Sequence, residues 1–229
     1  MEDNLPAPKD AFQAISRTTY TSKDSLSDLI DGALKLATDL KVFENIPIIS
    51  YAVKFLNVKD AYHLHKLQRN VVEFVRAVQD ADQQKMKDFF EKFEEDEDYS
   101  KEFSDTALSI LVEATKPIKA HLVGKLVKAA SLGCITIQEL DFLSQIIQAS
   151  SVPALMALQS FFDKTKNKPF IHNERTTEEP LLFSIGLASR HGSLLRISEY
   201  GEKLFLYGFE GSIDRDVKEP EEPTYLIAE

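Results

Sequence analysis

Two histidines close together, His63 and His65, are the first side chains whose type and spacing invite chemistry. On a continuous helix, residues two apart point about 200° from one another, whereas a shared metal ion asks for i, i+4 spacing on one face. His63 and His65 therefore cannot close on one ion from a single helix. His121, His172 and His191 stand apart in the sequence, without the cysteine and acid neighbours a zinc site needs. The run Gly133-Cys134-Ile135-Thr136-Ile137-Gln138-Glu139 carries the glycine and glutamate of the second half of an EF-hand loop. Setting Gly133 at the sixth loop position puts Lys128, Ala130 and Leu132 where calcium requires oxygen ligands, so a plain helix–helix corner is the better reading. The chain has no Gly-rich phosphate loop, no Gly-x-Ser-x-Gly elbow, no His-Glu-x-x-His and no dinucleotide fingerprint. Its carboxylates crowd into hydrated stretches, where water leaves them ordinary acidities, and general acid–base catalysis needs a shielded group. No catalytic residue, cofactor or metal ligand is expected, and the chain reads as a non-enzyme; a site assembled from distant residues stays open.

The single cysteine, Cys134, has no partner for an internal disulfide, which favours a reducing, cytoplasmic setting over secretion. Its ordinary use is as a small apolar group packed in a core. Over 229 residues, 27 Lys and Arg against 37 Asp and Glu leave a net charge of −10. That charge has addresses. Residues 83–102 hold four bases against eight acids and residues 210–229 two against seven, while 103–209 are nearly balanced. There is no basic stripe to neutralise phosphates, so nucleic acid is not an expected partner, and a basic protein surface is. The start, Met1-Glu2-Asp3-Asn4-Leu5-Pro6, is acidic and broken by proline, unlike a signal peptide. The most apolar run, Ile46-Pro47-Ile48-Ile49-Ser50-Tyr51-Ala52-Val53, is far short of the roughly 20 residues that span a bilayer.

These side chains are positioned by elements that the apolar spacing predicts to be mostly helices. Residues 1–21 lack periodicity and read as a flexible arm; Leu26, Leu29, Ile30, Ala33, Leu34, Ala37 and Leu40 then recur at helical spacing. A buried helix is expected over 46–56 after Pro47, and a long one over 58–79 with Val71, Val72, Val75 and Val78 on one face. Met86, Phe89, Phe90 and Phe93 form the next stripe, followed by a solvated acidic turn at 94–98 and a helix opened by Ser100. Pro117 starts a helix that Gly133 ends, Thr136 and Glu139 form a capping box for the next, and Ser151 opens one more through Phe162. Residues 164–180 read as a linker. Beyond it come a short helix through Leu181, Leu182 and Ile185, a turn at 189–193 between two extended pieces, and a helix capped by Ser198 that stops at Gly208. The fold class is therefore mainly α: a helical bundle over 22–163, a linker at 164–180, a small α+β module at 181–209 and an acidic tail at 210–229.

Two resemblances follow from these residues. The stretch from Asn45 to about Ile147, with its Ile-Pro-Ile-Ile start, Val-rich helix, Phe-rich helix and Gly133–Leu140 corner, resembles uncharacterised bacterial all-helical proteins. The corner itself is similar to the helical domain of tellurite-resistance TerB-like proteins, without the acidic metal-associated positions. Leu194-Leu195-Arg196-Ile197-Ser198-Glu199-Tyr200-Gly201-Glu202-Lys203-Leu204 resembles the segment of winged-helix proteins in which a wing strand runs into a Ser/Thr-x-x-Gly-x-x-Leu helix.

The leading expectation is a non-enzymatic, cytoplasmic interaction or scaffold protein that binds a protein partner through its C-terminal module and acidic segments. Arg190, His191 and Arg196, with Tyr225, Leu226 and Ile227 in the tail, are the candidate contacts. Two alternatives stay open: a membrane-surface or defence effector that exposes the 46–56 helix through Ile48, Ile49 and Tyr51, and DNA binding by the C-terminal module. A homo-oligomer stays open as well.

Overall fold

The computed structural model describes residues 61–95 and 97–216. The arm at 1–21, the helix through Leu26–Leu40, the 46–56 run with Ile48, Ile49 and Tyr51, and the tail residues Tyr225, Leu226 and Ile227 lie outside the described residues. The chain divides into two compact units, Met1–Val152 and Pro153–Glu229. The described part is mainly helical, with one small antiparallel sheet near its C-terminal end. No helix among the described residues is long and apolar enough to cross a membrane.

The first unit contains α1 (Ala61–Val78), α2 (Gln83–Glu95), α3 (Glu97–Glu113), α4 (Ile118–Ser131) and α5 (Ile137–Ala149). On α1 the spacing predicts the buried face well: Val71, Val75 and Val78 are buried, together with Phe74 between them. Val72 lies on the flank and is half-buried. That face packs chiefly on α4, where Gly124 removes the side chain that would hold the helices apart. A Cβ at Gly124 would lie 2.7 Å from both Ala77 Cβ and the Phe74 carbonyl oxygen. From α2, Met86 and Phe90 enter the core, with Phe89 edge-on to Phe90 at 5.2 Å. Phe103 and Leu111 of α3 and Leu122 and Leu126 of α4 complete the largest fully buried side chains here.

Of the acidic run at 94–98, expected as a turn, Glu94 and Glu95 lie in α2 and Glu97 and Asp98 in α3. α2 continues to Glu95 and α3 begins at Glu97, three residues before Ser100. Acidic residues in a first turn complement the positive end of the helix dipole, so Glu97 and Asp98 suit the start of α3. The far end of α3 is capped from another helix. Asn70 on α1 is wholly buried and donates to the carbonyls of Leu111 (3.0 Å) and Ala114 (2.8 Å). Arg69 reaches the Thr115 carbonyl at 2.7 Å and Lys66 the Glu113 carbonyl at 3.0 Å, so α1 satisfies acceptors that a helix end leaves open.

Between α4 and α5 the corner forms as its sequence suggests. Gly133 takes φ +75, its N–H bonds to the Ala130 carbonyl and that of Cys134 to the Ala129 carbonyl, both at 2.9 Å, which is a complete Schellman motif. Three residues later the Thr136 side chain accepts from the Glu139 N–H at 3.2 Å, while Glu139 Oε2 accepts from the Thr136 N–H at 2.8 Å. Such a capping box is worth about 1 kcal/mol. Cys134 departs from its expected core place: it is exposed, although the residue after a Schellman glycine often packs back on the helix.

The second unit contains α6 (Val152–Thr165), β1 (Phe170–His172), α7 (Glu179–Ser184), β2 (Ala188–His191), β3 (Leu194–Ile197) and α8 (Glu199–Lys203), which continues as a π-helical turn over Leu204–Gly208. The strand order is β1-β3-β2, all antiparallel, with Phe170 opposite Arg196 and Ala188 opposite Ile197. The β2–β3 hairpin turns at Gly192-Ser193, with Gly192 at φ +57, a left-handed first position that suits a two-residue hairpin loop. Ser189-Arg190-His191, expected in the turn, lie in β2, and two boundaries of the units also differ from the sequence reading. α6, expected to end the bundle at 163, belongs to the unit that starts at Pro153. The 164–180 stretch, expected as a linker, contains β1 and supplies the third strand; three residues are too few to show alternation, and their partner lies more than twenty residues downstream. Ser198 caps α8 as expected, accepting from the Gly201 N–H at 3.2 Å. The core is Leu155, Leu158, Phe161, Phe162, Leu182, Leu187, Leu195, Leu204 and Phe205.

Candidate functional site

α7 is six residues long and buries only Leu182 of its own length, so apolar packing alone gives it little hold. Two consecutive carboxylates anchor its start. Glu178, at the N-cap position, is buried, and its Oε1 accepts from Lys164 Nζ at 2.5 Å, Ser160 Oγ at 3.0 Å and Thr177 Oγ1 at 3.1 Å. Glu179, the next residue, accepts from Arg190 on β2: Nε to Oε1 at 2.6 Å and Nη2 to Oε2 at 2.8 Å. Arg190 also donates to the carbonyls of Ser193 (3.0 Å) and Glu174 (2.9 Å). One guanidinium thus ties α7, the segment after β1 and the hairpin turn together. The planar fork of donors is what makes four simultaneous bonds feasible.

Burial would raise the pKa of Glu178, but the hydrogen bonds from Lys164, its own backbone, Ser160 and Thr177 outweigh that and hold it at about 2. Glu179 is likewise held below the ordinary carboxylate value, chiefly by the Arg190 hydrogen bonds and against the effect of burial. A folded-state value below the unfolded one contributes stability above the unfolded value and loses it as the pH falls toward the folded value. Between about pH 4.5 and 2 the Glu178 contribution, up to about 3 kcal/mol less screening at half-exposed Lys164, should therefore disappear. Denaturant unfolding across that window should show the loss in the natural chain and a much flatter profile in Glu178→Gln. Equal slopes in the two would refute the assignment.

The three bases singled out from the sequence do not form one patch. Side chains alternate across a strand, and the register pairs Arg190 with Leu195 but Ser189 with Arg196 and His191 with Leu194. Arg190 therefore shares the face of buried Leu195, while His191 and Arg196 lie on the opposite face and are exposed. Arg190 is engaged in structural ties within the unit. A further pair joins the sheet's end: His172 Nε2 and Ser193 Oγ are 2.8 Å apart. Among the described residues, no group of three or more His, Cys, Asp or Glu side chains is placed to hold a metal ion.

In the first unit the unexpected group is Asp141, on the α5 face. It is buried, its Oδ2 accepts from Gln145 Nε2 at 2.8 Å, and its buried Oδ1 has no hydrogen-bond partner among the described residues. Ser144, one turn on, is fully buried with its Oγ in the same condition. Burial first and the charge of Glu102 on α3 second raise the Asp141 carboxyl above its ordinary value, against the Gln145 hydrogen bond. A raised carboxyl gives its full stability at acid pH and costs stability as the pH rises through the unfolded value. Asp141→Asn should accordingly stabilise the first unit at pH 7, on the order of 1 kcal/mol, and less at pH 4. Urea midpoints at the two pH values check this; a variant weaker at pH 7 would contradict it.

Sequence reasoning overlooked Glu178, Glu179, Lys164 and Asp141. Two acids directly before Pro180, and one acid between Leu140 and Phe142, were the available signals. No family model, curated protein or solved structure matches this chain.

Proposed function

We propose that this chain is a non-enzymatic interaction protein whose C-terminal unit is a winged-helix-like module that binds a protein partner. The supporting observation is the construction of α7. It is held from below by Glu178 and Glu179, and it presents Leu181 and Phe183 outward, 37% and 41% exposed. A short element fixed by polar anchors and topped with large apolar side chains is suited to filling pockets on a partner. Tyr200 on α8 adds a further exposed aromatic in this unit. The strand order β1-β3-β2, with α6 before it and a Ser198-capped helix after it, supports the winged-helix-like description. Engagement of Arg190 by Glu179 favours a protein partner over DNA, since it withdraws one of three bases that could meet phosphate. The acidic stretches at 83–102 and 210–229 suit a partner with a basic rim.

Proteins retained from native lysate by the natural chain, by Leu181→Ser/Phe183→Ser and by a chain shortened after residue 216 provide the test. The expected result is loss of a specific partner in the double variant, with weaker and more salt-sensitive retention in the shortened chain. An unchanged set of partners in the double variant would overturn the role of α7.

A further inference from the structure

The segment after α8 has neither helix nor strand from Glu210 to Asp216, yet it is fastened at several points. The Gly211 N–H bonds to the Phe205 carbonyl at 3.0 Å, and the Asp214 N–H to the Asn167 carbonyl at 2.9 Å. Asn167 Nδ2 donates to Ser212 Oγ at 3.1 Å, and Arg215 Nη2 meets Glu202 Oε2 at 3.3 Å. In the part of the expected tail that lies among the described residues, Glu210, Asp214 and Asp216 are exposed and the backbone up to Asp216 is held. Beneath it lies a tightly packed aromatic pair, Phe205 stacked on Phe162 with centroids 3.8 Å apart and ring planes within 8°. Gly211 covers Phe205 so closely that a Cβ there would fall 2.4 Å from ring atoms Cε1 and Cζ.

The cover and what it covers differ in kind. Phe162 and Phe205 are core side chains, whereas Glu210, Ser212, Asp214, Arg215 and Asp216 are exposed, and Ile213 is only half-buried. The attachments are peripheral hydrogen bonds and an ion pair whose arginine is largely in solvent, each of them readily exchanged for water. Left-handed backbone at non-glycine residues flanks the contact on both sides: Glu210 (φ +53) where the segment begins, and Lys166 (φ +52) and Asn167 (φ +66) where it docks. Such conformations persist only while the surrounding contacts enforce them.

We propose that residues 209–216 are a strap that opens as a unit while α6, the sheet and α8 stay folded, giving this module a covered and an uncovered state of the Phe205 ring. The proposal is independent of the contact role of α7. Opening breaks the attachments of Gly211, Ser212, Asp214 and Arg215 together, because these residues follow one another along a single extended run. It frees an aromatic edge of Phe205, a backbone acceptor at Asn167 and the Glu202 carboxylate. The strap leads directly into the acidic end of the chain, so a basic partner pulling on that end would act on the strap first.

Native-state amide exchange on the full chain tests this. The Gly211 and Asp214 amides should exchange about 100-fold or more faster than those of Leu195 and Ile197 in β3, because local opening precedes global unfolding. Equal protection at the two places would overturn the proposal, since the strap would then belong to the cooperative core. Gly211→Ala gives a second reading by wedging a methyl group against Phe205. Exchange at Asp214 should rise further, with β3 unchanged. Loss of β3 protection in that variant, or an unaltered rate at Asp214, would equally overturn it.

Discussion

Gly124→Ala should destabilise the first unit by about 2 kcal/mol, although the same exchange at an open helical site gains about 1 kcal/mol from propensity. The reversal of sign comes from position. The new methyl group would meet Ala77 Cβ and the Phe74 carbonyl oxygen at 2.7 Å each, and neither belongs to a flexible side-chain end that could swing aside. α1 and α4 must then separate, and Leu122, Leu126, Val75 and Val78 lose close packing along the largest helix–helix contact of the unit. Urea unfolding followed by far-ultraviolet circular dichroism measures the loss. A paired experiment isolates the cause: Ala77→Gly in the Gly124→Ala background should recover part of it, because one of the two close contacts is removed while the carbonyl contact stays. A rise in stability for Gly124→Ala alone would show that the helices part without cost.

The second large effect is expected at Arg190. Arg190→Ala removes both guanidinium bonds to Glu179, whose side chain is 13% exposed, and leaves the Ser193 and Glu174 carbonyls without that donor. Stranding a largely buried carboxylate in this way costs about 3 kcal/mol. Arg190→Lys should recover only a minor part, since an ammonium cannot span four acceptors held by three different segments. The pH dependence gives a check that simple loss of packing would not. Glu179 is held below its ordinary value by Arg190, so its contribution is present at neutral pH and is lost as the pH falls. The natural chain and Arg190→Ala should therefore converge in stability in acid. A gap of constant size from pH 7 down to pH 3 would refute the Glu179–Arg190 assignment.

Local signals made most of the helical part legible. The Val71–Val75–Val78 stripe, the Schellman glycine at 133, the Thr136–Glu139 box and the Ser198 cap each depend on residues within a few positions of one another. β1 was hidden because a three-residue strand is defined by its partner, and β3 cannot be inferred from Phe170-Ile171-His172 alone. Arg190 looked like one of three available bases because charge is visible in sequence, whereas the strand face it occupies follows from the register. Gly124 gave no cue: a glycine inside an apolar helix acquires meaning only when Ala77 and Phe74 arrive from another helix. Asp141 is the opposite case. It was visible as an acid in an apolar stripe, and its unusual environment follows from the burial that the stripe itself implies.

The corner between α4 and α5 has a consequence for the order in which the chain gains structure. Everything that stops the first helix and starts the second lies between Ala129 and Glu139, so this turn needs no distant partner and can form as soon as those residues leave the ribosome. The sheet of the second unit cannot: β1 must wait for β3, which is synthesised after both α7 and β2. Closing that longer loop carries an entropic cost that the helical corner avoids. Growth of the nascent chain thus proceeds from a self-contained helical hairpin to a module whose first strand has no pairing partner until β3, at residues 194–197, has emerged.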